Sequence, residues 1–183
     1  MSLEQLWAGW RAGYVASVSG PAEPEAASST DPLDGVPAEP GSSCVFCRII
    51  ASGASDEARL VVREAAETIV IMNAYPYASG HLLVMPIRHV SELSELEPSE
   101  SAELWSVTRD AAAAIEAAYL PDGMNIGANL GRAAGAGIPR HLHLHVVPRW
   151  IGDTNFMTTI ASVRVMPEAL VDSWQKIRAA WPG

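Results

Sequence analysis

Three of the five histidines in this chain of 183 residues stand at alternate positions in the segment HLHLH. Side chains alternate between the two faces of a β-strand, so His141, His143 and His145 are predicted to share one face while the leucines between them face the core. Imidazoles on an open face can accept protons, ligate a metal or attack an electrophile at neutral pH. The spacing therefore predicts a functional strand whose histidines line a surface or cleft.

A glycine-rich stretch, NIGANLGRAAGAGIPR, comes directly before the histidines. Gly131, Gly135 and Gly137 permit close backbone approach and positive φ angles. The amides of such a loop can form a nest for phosphate oxygens. Loop and strand together predict an anion cradle beside a histidine nucleophile.

The two cysteines of the chain, Cys44 and Cys47, lie in the motif CVFC. A secreted scaffold held together by disulfides would need more of them. The pair is therefore expected to bind a metal, to be redox-active or to be buried.

The bulk composition limits the class of protein. With 49% hydrophobic and 18% charged residues the chain can bury one good core, and a net charge of −9 argues against a general nucleic-acid binder. A small anionic ligand is compatible with that charge. We find no apolar run of about 20 residues and no signal-peptide pattern in MSLEQLWAGWRAGYV, so no membrane association and a cytoplasmic location are expected.

The pattern along the chain predicts an α+β fold built around an antiparallel sheet. Residues 1–18 are predicted to form an apolar arm, residues 19–43 a flexible linker rich in Pro, Ala, Ser and acidic residues, and residues 44–183 a catalytic domain with a C-terminal tail. RLVVRE, TIVIMN, HLLVMPI, GMNIGANLG and HLHLHVVPRW are predicted strands. CVFCRIIASG predicts a short helix or turn, a long helix begins near Pro98, and VDSWQKIRAAW predicts a closing helix.

The segment HLHLHVV resembles the His-x-His-x-His-x-x signature of the histidine triad (HIT) family. CVFCRII, NAYPYASGHLLVMPIRHVSEL, NIGANLGRAAGAG and PRWIGDTNF are also similar to segments of that family. LWAGWRAGYV and RWIGDTNF look most like its bacterial diadenosine tetraphosphate phosphorylase group. The resemblance implies a HIT-like fold, with one long helix and a C-terminal helix on an antiparallel sheet.

The resemblance also implies a reaction. His143 would attack the α-phosphorus of a nucleotide, giving a nucleotidyl-histidine, and His145 would donate to a phosphate oxygen or the leaving group. His81 would orient its neighbours or serve as a scaffold residue. We expect a phosphorylase or nucleotidyl transferase acting on diadenosine tetraphosphate or a related dinucleoside polyphosphate, with inorganic phosphate as acceptor. The alternatives are a hydrolase of purine nucleoside phosphoramidates or adenylates that uses water, and a nucleotide-binding regulatory protein.

Substrate contacts follow from the same resemblance. Many relatives carry a Gln before the triad where this chain has Gly137, so phosphate contact from the backbone is expected there. The remaining candidates are Asn73 for the ribose hydroxyls, Asn125 and Asn129 for phosphate or loop shape, Gly135 for the phosphate cradle, and Phe46, Ile49 and Ile50 for a purine pocket or the core.

Zinc-bearing relatives suggest a complete tetrahedral ligand set, namely Cys44, Cys47, His89 and His141. The alternative is that the thiols are simply buried and that His141 hydrogen-bonds to the backbone. Mg²⁺ would at most accompany the polyphosphate. By analogy we expect a homodimer formed through the long helix and the sheet, or a tetramer if the N-terminal tryptophans contact another dimer.

Overall fold

The computed structural model describes residues 44–153 and 168–183. The predicted arm, residues 1–18, and the predicted linker, residues 19–43, lie outside the described residues. The end of the RWIGDTNF segment lies outside them as well. The three-part division of the chain therefore stays a prediction.

The described residues form one antiparallel sheet with helices on both faces, which confirms the predicted α+β class. The strand order is β1-β2-β3-β5-β4, and every neighbouring pair is antiparallel. No helix in the described ranges is long and apolar enough to cross a membrane. The elements are α1 (Val45–Ala51), α2 (Asp56–Arg59), β1 (Val61–Glu64), β2 (Thr68–Met72), β3 (Leu82–Pro86), α3 (Pro98–Tyr119), β4 (Gly123–Ala128), β5 (Leu144–Arg149) and α4 (Leu170–Ala179).

The central strands are buried on both faces, which explains why β2 and β3 are continuous apolar runs rather than alternating ones. Helices α3 and α4 contribute Leu104, Ile115 and Ile177 to the main core, on the same face as Val84 and Leu144. A second cluster covers the other face, where α1 packs on the sheet; it includes Phe46, Ile49, Ile69, Leu83 and Met85.

Helix α3 begins as the sequence predicts. Glu97 is its N-cap and forms a capping box with Glu100, and Pro98 occupies the first turn, where its missing N–H is not needed. The helix ends at Tyr119, and Leu120, its C-cap residue, adopts a left-handed conformation. Its buried residues lie at helical spacing and include Leu104, Val107, Ala111 and Ile115.

The histidine segment departs from the prediction in two ways. Strand β5 begins only at Leu144, so His141 and His143 precede it. At this point the Leu142 N–H donates to the carbonyl of Val90, 2.6 Å away, rather than to the strand ladder. Alternation of faces nevertheless persists, because Leu142 and Leu144 join the main core while His141 and His143 contact Phe46 on the opposite side.

The second departure concerns exposure. His141 and His143 are only 1% and 6% exposed, so of the predicted surface or cleft the open surface is excluded for these two residues. Helix α1 covers that face of the sheet, and a sheet covered on both sides leaves its inward residues little contact with water.

Candidate active site

The backbone orients His143. Its Nδ1–H donates to the carbonyl oxygen of His141 across 2.7 Å. A neutral imidazole with its proton on Nδ1 carries a lone pair on Nε2. Burial lowers the pKa of His143, and the hydrogen bond to the His141 carbonyl only partly opposes this, so the neutral ring is favoured. A neutral imidazole of this kind can act as a nucleophile.

A chain of hydrogen bonds sets the proton positions on the other two rings. The Tyr77 N–H donates to Nδ1 of His81 across 3.0 Å, and the Asn73 amide nitrogen lies 3.2 Å from the same atom. Because Nδ1 of His81 accepts, its proton is on Nε2, which donates to Nδ1 of His145 at 2.9 Å. The proton of His145 is therefore on Nε2.

His145 presents that N–H beside His143. The two ring centroids are 5.0 Å apart, and the Asn129 side-chain amide, whose oxygen can accept from this N–H, lies 3.4 Å from Nε2 of His145. Burial, together with the neighbouring His143, lowers the pKa of His145 to about 4. At neutral pH His145 is thus a neutral hydrogen-bond donor next to a nitrogen lone pair.

The structure brings Asn73 and Asn129 to the histidines and places Asn125 further along the sheet. The Asn73 side-chain oxygen accepts from the Tyr75 N–H at 3.0 Å, so this amide holds the turn between β2 and β3 as well as contacting His81. Asn125 faces Val147 across the strands, and its side-chain oxygen accepts from Arg149 at 2.9 Å.

Glycine is required at two positions of the loop before the triad. Gly131 and Gly135 have φ angles of 75° and 89°, a region that other residues rarely adopt. Gly135 closes a single 3₁₀ turn, and Gly137 is exposed on the same loop.

The predicted purine-pocket residues lie in helix α1. Phe46 and Ile49 are buried in the second core cluster, and Ile50 packs at its margin. The core alternative therefore describes Phe46 and Ile49, although the Phe46 ring also lies 5.2 Å from that of His143.

The four predicted zinc ligands converge beside the triad. One ligand atom from each of Cys44, Cys47, His89 and His141 lies within 4.8 Å of the other three. The Cys47 sulfur is 3.1 Å from Nδ1 of His89, and the Cys44 sulfur is 3.5 Å from Nδ1 of His141. Two thiolates and two imidazoles within this span form a donor set suited to tetrahedral zinc.

Protonation and orientation also suit a metal. Nε2 of His141 donates to the Pro86 carbonyl at 2.9 Å, which leaves the Nδ1 lone pair directed at the sulfurs. Burial alone would raise the pKa of Cys44, but its interactions with the His141 ring and with Cys47 outweigh burial and lower the pKa to about 6. The ring of His141 thus belongs to this cluster, whereas its backbone carbonyl accepts the hydrogen bond from His143.

Comparison with known proteins agrees with this geometry. The family model described as "HIT domain" matches residues 55–150. A Mycobacterium tuberculosis protein named AP-4-A phosphorylase is 40% identical over 98% of this chain and 85% of its own length.

The chain belongs to the HIT family.

Solved structures of HIT proteins share the fold. A zinc-bound histidine triad family protein from Mycobacterium smegmatis is 34% identical, with a TM-score of 0.61 over 75% of this chain and 92% of its own. A hypothetical histidine triad nucleotide-binding protein from Sulfolobus tokodaii is 31% identical, with a TM-score of 0.61 over 75% and 91%. These matches confirm the predicted family and fold.

Sequence reasoning missed the backbone groups of this HIT site. The carbonyls of Pro86 and His141 and the amide of Tyr77 set the three proton positions. Every residue carries a backbone carbonyl and every residue except proline carries an N–H, so no side-chain pattern marks them. The Tyr77 ring, 4.6 Å from His81, was also missed, although its place in the YASGH turn put it near that histidine.

Proposed function

We propose that this HIT protein transfers a nucleotidyl group from diadenosine tetraphosphate, or a related dinucleoside polyphosphate, to inorganic phosphate. The observation that carries the proposal is the orientation of His143, whose Nδ1–H bond to the His141 carbonyl leaves Nε2 able to attack. The 40% identical relative named AP-4-A phosphorylase supports the choice of substrate.

In the first step, the Nε2 lone pair of His143 bonds to the α-phosphorus, and the bond from that phosphorus to the bridging oxygen breaks. ATP leaves and an adenylyl-histidine remains. The departing oxygen belongs to a phosphate group, whose last pKa is about 6, so it needs a hydrogen bond rather than a full proton. The Nε2–H of His145 can supply that hydrogen bond.

In the second step, an oxygen of inorganic phosphate bonds to the same phosphorus as the bond to His143 breaks, and ADP forms. Ionised phosphate attacks without losing a proton, whereas water must give one up. Nε2 of His145 already holds a proton, so it is poorly placed to accept another. This tautomer favours phosphorolysis over hydrolysis.

The protonation of His145 also weighs against a phosphoramidate hydrolase. An amine leaving group needs a full proton to depart, and His145, with a pKa lowered to about 4, carries no spare proton at neutral pH. A purely regulatory nucleotide-binding protein has no need for an oriented nucleophile, so we rank it third.

Incubation with diadenosine tetraphosphate, with and without inorganic phosphate, tests the function. We expect ADP and ATP with phosphate, and no more than about one equivalent of ATP per site without it. AMP and ATP formed at the same rate without phosphate would assign the protein to the hydrolases. Tight binding with no products in either case would leave only the regulatory alternative.

We infer that the Cys44, Cys47, His89 and His141 cluster holds a structural zinc ion. The donor set, its spacing and the zinc-bound relative support this assignment. When bound, zinc would hold the thiolates and imidazoles together; the proposed chemistry needs nothing further from it.

Mg²⁺ with the polyphosphate stays a prediction, to be checked by assaying activity with and without added magnesium.

We also propose a homodimer. Strand β4 is an edge of the described sheet, so its outer backbone groups can pair with another strand. Two large side chains, Ile126 on β4 and Trp105 on α3, are 45% and 56% exposed. A second copy would cover both. The predicted tetramer depends on tryptophans outside the described residues and stays a prediction.

A further inference from the structure

Tyr77 places an aromatic ring against the site. The proposed reaction does not use this ring. The ring lies 4.6 Å from that of His81 and 5.8 Å from that of His145, nearly parallel to the latter at 16°. The residue is nevertheless 49% exposed. Imidazoles pack against part of the ring and the rest is open to solvent.

Two aromatic rings lie beside the two imidazoles of the proposed reaction. The Phe46 ring contacts His143, at 5.2 Å between centroids, whereas the Tyr77 ring contacts His145. In an in-line displacement the attacking and departing atoms are on opposite sides of the phosphorus. His145 is the proposed donor to the departing oxygen, so the departing polyphosphate would lie beside His145 and hence near Tyr77.

The turn that carries the ring is held in place before any ligand arrives, and the ring itself packs on the His81 and His145 rings. The Tyr77 N–H donates to His81, and the same turn is fixed by the Tyr75 N–H to the Asn73 side chain. Exposed aromatic faces bind nucleobases by stacking, whatever the base. An anchored ring loses less freedom on binding than a mobile one.

We propose that the Tyr77 ring is a second base subsite, which stacks on the nucleobase of the departing nucleoside polyphosphate. The inference rests on the proposed function and deepens it. A dinucleoside polyphosphate carries a base on each side of the cleaved bond, and Tyr77 is assigned to the base that leaves. The subsite would therefore distinguish dinucleoside from mononucleoside polyphosphates.

The test compares two substrates with saturating phosphate. Diadenosine tetraphosphate releases ATP, whereas adenosine 5′-tetraphosphate releases triphosphate, which has no base. The measured quantity is the ratio of kcat/KM for the first substrate to kcat/KM for the second. Tyr77→Ala should lower this ratio at least about fivefold, and Tyr77→Phe should keep it near the wild-type value.

Tyr75→Ala is the matched control, because Tyr75 is an exposed tyrosine of the same turn. It should leave the ratio unchanged. The proposal is overturned if Tyr77→Ala slows both substrates equally, or if Tyr75→Ala lowers the ratio as much. It is also overturned if Leu93→Ala, in the cleft of about 420 Å³ beside the glycine loop, lowers the ratio while Tyr77→Ala does not.

Failure of the proposed function would look different. Wild-type protein would then turn over neither substrate, and no nucleotide would become bonded to His143. Turnover of both substrates with an unchanged ratio in Tyr77→Ala would reject only the base subsite.

Discussion

The proposed chemistry depends on which nitrogen of each imidazole carries the proton. Three backbone groups set this: the Tyr77 amide, the His141 carbonyl and the Pro86 carbonyl. The histidines of the site could be predicted from the sequence, because alternate histidines beside a glycine-rich loop are a strong pattern. The proton positions could not, because they depend on contacts between segments distant in the chain.

Gly80 precedes His81 and has no room for a side chain. Its φ is +82°, and an added Cβ would lie 2.8 Å from Cε2 of Tyr119. We expect Gly80→Ala to lower the free energy of unfolding by about 1–3 kcal/mol, through backbone strain and overpacking. Denaturant unfolding measures this change.

Gly53→Ala is the control, because nothing lies within 4 Å of a Cβ added there. It should change the free energy of unfolding by less than about 1 kcal/mol. Equal losses in the two variants would show that contact with Tyr119 does not constrain Gly80.

At the scale of elements, helix α3 begins at a buried carboxylate. Glu100 accepts from the Glu97 N–H at 2.8 Å and from two nitrogens of Arg88 at 2.8 and 2.6 Å. The Arg88 side-chain hydrogen bond, with the Glu97 amide, lowers the pKa of Glu100 to about 2. Glu100→Gln should therefore destabilise the protein at neutral pH by about 1–3 kcal/mol.

The pH dependence follows from linkage. A carboxyl whose pKa is lowered on folding stabilises the protein fully above its unfolded pKa of about 4.5, and this contribution is lost as the pH falls towards 2. The stability difference between wild type and Glu100→Gln should shrink over that range. Glu116→Gln, at an exposed position on the same helix, is the control and should show no such trend. A stability difference between wild type and Glu100→Gln that did not change with pH would contradict this account of Glu100.

The predicted zinc ion would join helix α1 to the segment that carries the histidines. We expect about one equivalent of zinc per chain by elemental analysis, lost in Cys44→Ala, and a lower Tm after chelation. Ser52→Ala, just after the same helix, should retain the metal. Zinc-free protein with an unchanged Tm would mean that the thiols are simply buried.

The histidine strand illustrates what a sequence pattern can predict. Alternation correctly separated the leucines from the histidines, because their faces differ whether or not the ladder reaches them. It placed His141 and His143 within the strand, on a surface or in a cleft, whereas both precede the strand and are buried. Neither the Leu142 bond to Val90 nor the cover by α1 is visible in a pattern of local spacing.

For the whole molecule, the dimer proposal makes a direct prediction. Ile126→Glu would place a charge on the exposed edge strand β4, so we expect sedimentation to change from dimer to monomer. Leu120→Ala, at the exposed end of α3, is the control and should stay dimeric. A wild-type monomer at micromolar concentration would overturn the proposal.

The central claim is that His143 bonds covalently to the nucleotide. Mass spectrometry of protein mixed with diadenosine tetraphosphate, without phosphate and quenched within a turnover, tests it most directly. We predict one adenylyl group per chain, located on His143 and removed as ADP when phosphate is added. Products formed with no adduct at His143, or an unchanged adduct in His143→Ala, would contradict the account.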